Sequence, residues 1–372
     1  MKITRIETFC NRYVGFTRIT DDNGATGWGQ ISTYHSDITA QVLHRQIAPW
    51  TLGREIDDLD DHLNFIAERE HKFPGSYMCR AMGGLDTAVW DLRGKLAGLP
   101  VTALIGGTPG KIRAYASSMK RDIPPADEVE RFRRLRGEHG FDAFKFRIGA
   151  EVGRGHDEWE GRTEEIIATV AHAFRSEDVA LLVDANSCYA PAQAIAYGHM
   201  LADHGISHYE EPCPYWELQQ TRAVTEALSD LDIDVTGGEQ DCMIPVWRQM
   251  IDLRAVDIVQ PDVMYLGGMA RTLRVARMAA EAGLPVTPHC ANLSMVTLFT
   301  MHLLRAIPNA GKYLEFSIEG EDYYPWQSDL FVRSPYHIED GMAEVTDAPG
   351  WGIEIQPDWL ARSTYQVSEQ QG

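Results

Sequence analysis

The chain has 372 residues, 44% of them hydrophobic, and a formal net charge of −20. It is long enough for a large core and two or three domains, and its acidity argues against nucleic acid or an anionic membrane as partner. No apolar run reaches the length of a membrane span, and the six cysteines lack CxxC pairs, as expected of a reduced cytoplasmic protein.

Residues 1–110 read as an α+β module. Ile3–Cys10, Phe16–Thr20 and Ala25–Ile31 are predicted strands, the last two separated by the turn Asp22-Asn23-Gly24. The N-terminus runs straight into this alternation without a signal-peptide core. Helices are predicted over residues 37–50 and 57–71. The strongest helix runs from Ser76 to Ala97, with Met78, Met82, Leu85, Val89, Leu92 and Leu96 on one stripe, and Gly98 and Pro100 stop it.

From Lys111 the pattern alternates. Strands are predicted at 112–118, 143–148, 180–184, 206–210, 233–239, 257–262, 285–289 and 312–316, with helices between them such as 126–139 and 269–282. Eight strands with interleaved helices imply a (β/α)8-type TIM barrel over 111–319, its last unit incomplete. Residues 320–372, rich in aromatics, Pro and Gly, are expected to return to the first module, which caps the barrel. The glycine pairs 237–238 and 267–268 are weak signals of close backbone approach. Nothing matches a phosphate-binding loop or a dinucleotide fingerprint.

The residues that close the strands carry the chemistry. They are Lys145 and Arg147, then Asp184, Glu210, Glu239, Asp262, His289 and Glu315. Subtracting positions from Asp184 onward gives steps of 26, 29, 23, 27 and 26, close to one βα unit of roughly 30 residues. The C-terminal ends of such strands share one face, where barrel enzymes keep their sites. Three carboxylates from adjacent strands, Asp184, Glu210 and Glu239, make an all-oxygen set suited to Mg²⁺. The bland alternative is that these acids cap following helices, though Glu caps poorly. Asp262 can orient His289 as a general base, against the reading of His289 as a satisfied core histidine. Lys145 and Arg147 point to the same side of their strand. They bind an anion or move a proton, or else are two solvated charges; Arg147 is a poor base in any case.

These residues resemble the enolase superfamily, in its mandelate racemase branch, over nearly the whole chain. The carriers are Ala81–Leu92 with Gly94-Lys95 and Leu104-Ile105-Gly106, Asp184 with Asn186, Glu210 in Glu-Glu-Pro, Glu239 in Gly-Gly-Glu, the Asp262/His289 pair, Glu315, and Pro349–Glu354. The resemblance implies one Mg²⁺ on Asp184, Glu210 and Glu239. It also implies an Asp262–His289 dyad and a Glu315 that hydrogen-bonds the substrate carboxylate, protonated or through a bound proton. The branch usually has Lys-x-Lys where this chain has Lys145-Phe146-Arg147. A two-base racemase is therefore disfavoured, and dehydration of a sugar acid, with Lys145 assisting and Arg147 and Asn186 binding substrate, is expected. Tyr34 and His35, from the loops Tyr13–Phe16 and Gly29–His35, are expected at the barrel mouth, with Tyr324 and Trp326 from the tail. A racemase or epimerase using Lys145 and His289 stays open, as does a metal-binding barrel without activity. Assembly as a homo-oligomer is expected from barrels of this kind.

Overall fold

The computed structural model describes residues 1–370. Its first strands, β1 (Ile3–Cys10), β2 (Val14–Asp21) and β3 (Thr26–Thr33), form an antiparallel meander. Asp21 Oδ1 accepts the backbone N–H groups of Asn23 and Ala25 at 2.9 and 2.8 Å and so fixes the expected turn.

The helix predicted over 37–50 is in three parts, Ser36–Val42, a π-helical turn Leu43–Ile47, and Ala48–Thr51. Pro49 explains the break: it has no N–H for the carbonyl four residues back, and the turn ahead of it widens. Helix Leu59–Arg69 starts where Asp58 accepts the Asp61 N–H at 3.0 Å. Helix Ser76–Ala97 has the predicted bounds. Met78, Met82, Leu85, Val89 and Leu92 of its stripe are buried, each worth roughly 1.5–3 kcal/mol of apolar transfer. Leu96 departs from expectation: on the last turn, which Gly98 caps, it is 59% exposed. This helix lies directly on β3, because a Cβ on Gly27 or Gly29 would come within 2.2 Å of Ala88 O or 2.4 Å of Thr87 Oγ1.

The parallel strands are β4 (Lys111–Ser117), β5 (Ala143–Arg147), β6 (Ala180–Asp184), β7 (His208–Glu210), β8 (Asp234–Gly237), β9 (Ile258–Val259) and β10 (Leu314–Ser317). They pair in the order β10-β4-β5-β6-β7-β8-β9. Each from β4 to β8 is followed by a helix, beginning with Pro125–His139 and Arg162–Phe174. The strand expected at 285–289 is reduced to single bridges, Val259 to Val286, Asp262 to His289 and Val286 to Ala310. Pro285 and Pro288 remove two donors from that segment and Pro261 one from its neighbour, so no continuous ladder can form. It is still stitched in place: Thr287 N–H donates to Val259 O at 3.0 Å and His289 N–H to Pro261 O at 3.2 Å.

The tail divides. β11 (Ile338–Glu339) and β12 (Met342–Glu344) extend the barrel sheet beside β4, while β13 (Thr364–Glu369) pairs antiparallel with β1 and completes a four-stranded cap sheet.

Two buried acids of helix Ser76–Ala97 fasten cap, barrel and tail. Asp86 accepts the Met269 and Ala270 N–H groups at 2.5 and 3.1 Å, capping the barrel helix Met269–Glu281 from outside it. Asp91 accepts Trp28 N–H from β3 at 2.7 Å and Trp351 N–H from the tail at 2.9 Å.

Candidate active site

The ladder register puts Arg147 beside Asp184 and Asp184 beside Glu210. Neighbouring parallel strands lie about 4.8 Å apart, so these charges must meet. Lys145 Nζ donates to Glu210 Oε2 at 2.6 Å, contacts Glu315 Oε1 at 2.8 Å and lies 3.5 Å from Asp184 Oδ2. The Arg147 guanidinium pairs with Asp184. Lys145, Asp184, Glu210 and Glu315 are fully buried.

On the opposite arc, His289 Nδ1 is 2.8 Å from Asp262 Oδ2, and His289 Nε2 is 3.3 Å from Glu239 Oε2. Asp262 has a second task. Its Oδ1 accepts the Met264 and Tyr265 N–H groups at 2.8 and 2.9 Å, capping the turn Val263–Leu266. The capping role considered for the metal-set acids thus belongs to Asp262, alongside its grip on the imidazole. Glu315 bridges the arcs: Ser117 Oγ and Cys290 N–H each donate to it at 2.8 Å.

Burial opposes every charge in this ring, and the ring answers by pairing. Burial disfavours ammonium at Lys145, but Glu210 and then Glu315 outweigh it and hold its pKa well above the ordinary value. Burial likewise opposes Glu210, and Lys145 holds that carboxyl well below its usual range. Glu315, against burial, is drawn down to about 2 by Lys145 and then His289. Burial favours neutral His289, yet Glu239, Glu315 and Asp262 hold the imidazole well above its ordinary value. Asp184 and Glu239 behave otherwise. Burial raises both, Glu239 to about 7, and in each the neighbouring acids add to the rise.

That mutual repulsion is the property of a site that wants a cation. Glu210 Oε1 is buried with no hydrogen-bond partner. As they stand, Asp184 and Glu210 are turned on Arg147 and Lys145, and Glu239 on His289. Among the described residues no three His, Cys, Asp or Glu side chains are already spaced around an ion. The donor set, three carboxylates at consecutive strand ends with one unpartnered oxygen, fits a hard divalent cation.

Asn186 lies beside the ring. Its N–H donates to Asp184 Oδ1 at 2.6 Å, and it adopts φ 45°. Ser187 (φ 64°) and Glu211 (φ 42°) share the left-handed region, a gathering of strain typical of functional loops. Tyr34 (φ 60°) is 45% exposed, its ring 6.2 Å from Tyr13 and 5.9 Å from Trp326. With Tyr324, 5.3 Å from Trp326, these rings form an aromatic rim joining cap and tail. His35 is exposed.

Three neighbours had no signal in the sequence reading. Tyr265 places its ring 5.8 Å from His289 and under Arg80, whose Cζ is 3.5 Å from its centroid. Glu211 accepts from Ser187 Oγ at 3.1 Å. Burial, and then Glu239, raise its pKa well above the usual range. Arg121 reaches Asn186 from the loop after β4.

A cap over a parallel barrel, with an acid ring and a His–Asp pair at the strand ends, defines a class, and the comparisons name it. A profile described as mandelate racemase / muconate lactonizing enzyme, N-terminal domain, matches residues 3–106, and one described as enolase C-terminal domain-like matches 127–359. The chain belongs to the mandelate racemase/muconate lactonizing enzyme branch of the enolase superfamily. Among curated relatives, it is 27% identical to arabinonate dehydratase of Saccharolobus solfataricus (91% of this chain, 87% of that one) and 30% identical to D-galactarolactone cycloisomerase of Agrobacterium fabrum (91% and 88%). Among solved structures, it is 70% identical to a protein of Roseobacter denitrificans provisionally described as a racemase (TM-score 0.97, both chains fully covered). It is 27% identical to a mandelate racemase/muconate lactonizing protein of Paracoccus denitrificans complexed with magnesium (TM-score 0.87, 98% of each chain).

Proposed function

We propose that the chain is a Mg²⁺-dependent hydro-lyase that removes water from a sugar acid, giving a 2-keto-3-deoxy acid. The observation that carries this reading is the His289–Asp262 pair on one arc facing Lys145 on the other, with Glu315 between them and one acid-rich cation site beside them. The dehydratase among the curated relatives and the magnesium complex of the Paracoccus protein support it. We read the bridged segment 285–289 as the seventh strand of an eight-stranded barrel.

Asp184, Glu210 and Glu239 would hold the ion, which supplies positive charge against the substrate carboxylate and makes its α-proton easier to remove. His289 removes the C2 proton through Nε2, with Asp262 fixing the ring through Nδ1. Glu239 ties the two functions together. Its carboxylate touches Nε2 here, and the imidazole accepts a proton only when that carboxylate is engaged elsewhere. Lys145 carries a proton that Glu315 positions, which favours donation through a bound proton over a protonated Glu315. That ammonium meets charge developing on the enediolate. The 3-OH leaves with a proton from His289 if elimination is syn, or from Lys145 if it is anti.

The racemase description of the Roseobacter protein favours a second reading, proton exchange on both faces. Arg147 weighs against it, because a guanidinium locked on Asp184 is no base. An acid-sugar library with Mg²⁺ in D₂O separates the two. The hydro-lyase gives keto acid; an isomerase gives deuterated diastereomer and no keto acid. EDTA is expected to abolish turnover reversibly. His289→Asn should lower turnover about 10²–10⁴-fold, and wild-type α-proton exchange in that variant would place the base elsewhere.

A further inference from the structure

Lys120 and Arg121 stand together on the loop after β4 and turn opposite ways. Lys120 Nζ donates to Asp322 Oδ2 at 2.6 Å, at the surface. Arg121 turns inward, and its Nη2 donates to Asn186 Oδ1 at 3.1 Å, two residues past Asp184. Arg121 Nε is buried with no hydrogen-bond partner. Arg147 holds Asp184 and Arg131 holds Glu319, but Arg121 makes no ion pair among the described residues. The chain carries 54 acidic residues, so carboxylates are not scarce. Burial, and then the nearby Arg147 charge, push the Arg121 pKa down, as expected of a cation lacking its anion.

We infer that Arg121 receives the far end of the substrate and that this end is a second carboxylate, so the preferred substrate is a sugar diacid. The inference rests on the sugar-acid reading above and narrows it. A guanidinium presents a planar fork of donors that a carboxylate fills with two parallel hydrogen bonds. A terminal hydroxymethyl group would leave the charge with only the Asn186 amide dipole and the buried Nε unsatisfied, a costly arrangement. The proximal carboxylate belongs to the opposite end of the molecule, beside Lys145 and the acid set. The diacid is thus held at both ends, and Asn186 positions the guanidinium through the 3.1 Å hydrogen bond.

The test gives Mg²⁺-loaded enzyme six-carbon sugar diacids and monoacids of matching configuration, measuring kcat/KM and, by calorimetry, Kd. The best diacid should exceed its matched monoacid by about 10–100-fold in kcat/KM, the range for a charge-assisted pair. Arg121→Gln should collapse that ratio to within about threefold, mainly through a higher KM for the diacid, and Arg121→Lys should restore part of it. Equal use of both acids by the wild type overturns the inference, as does an Arg121→Gln ratio that stays unchanged. If neither acid reacts but the diacid binds and Arg121→Gln abolishes that binding, the subsite stands and the hydro-lyase reading falls. If neither binds, the inference falls. Thermal melts identify a misfolded variant, in which case Arg121→Lys carries the comparison.

Discussion

Lys145 is fully buried among three carboxylates, and that crowd is what permits an ammonium there at all. Lys145→Met should therefore cost more than activity. It leaves Glu210 and Glu315 buried without their cation, a loss of about 3–5 kcal/mol, to be read as a lower urea midpoint. A wild-type midpoint would mean that the acids are already neutral. The ring residues were legible in sequence because each closes a strand at nearly constant spacing. Glu211 was not. Strand alternation sends it away from its neighbour Glu210, and only its positive φ brings it back toward the acids. Tyr265 was hidden for a similar reason: the turn that Asp262 caps, rather than any periodicity, carries it to His289. Tyr34 and His35 were both expected at the mouth; the structure joins Tyr34 to the aromatic rim, and His35 next to it is exposed.

Elements that repeat were easiest to read, and elements broken by proline were hardest. Helix Ser76–Ala97 has the bounds its apolar stripe predicts and buries all of that stripe but Leu96, whereas Pro49 splits one predicted helix and Pro285 and Pro288 thin one predicted strand. The joint between cap and barrel was not legible, because Asp86 and the backbone it caps are more than 180 residues apart. It yields a prediction at this scale. Asp86→Ala strips the cap from helix Met269–Glu281 and should cost about 0.5–2 kcal/mol. Gly268 has φ 110°, and a Cβ there would lie 2.4 Å from Asp86, so Gly268→Ala should cost more. The two changes should not add. Asp86→Ala removes the Cγ and Oδ1 contacts but keeps the Cβ, itself 2.4 Å away, so it relieves only part of the clash, and a double-mutant cycle on thermal unfolding should show a coupling of about 0.5–3 kcal/mol. Additive losses would mean the carboxylate and Gly268 do not meet.

For the molecule as a whole, acid is the predicted weakness. His302 is fully buried on the barrel helix Met295–Leu304, and its Nδ1 accepts the Thr102 N–H at 3.1 Å. Burial pushes its pKa down to about 3. The unfolded chain takes up a proton near pH 6.5 that the folded chain refuses. The contribution of His302 is therefore complete above pH 6.5 and is lost progressively as pH falls toward 3. At pH 5 the loss is about 2 kcal/mol. His302→Gln should flatten the melting-temperature profile between pH 6.5 and 5, and an unchanged slope would assign the acid sensitivity to other groups.

The pairing of β13 with β1 has a consequence for how the chain acquires its lid. Arg5 lies opposite Glu369, so the cap sheet joins segments more than 360 residues apart. During synthesis every barrel strand has left the ribosome before β13 emerges. The strands that carry the acid ring can assemble early, while the cap sheet is completed only once translation has passed Glu369. A chain that stops before Thr364 would keep every residue of the acid ring and lack the fourth strand of the cap sheet.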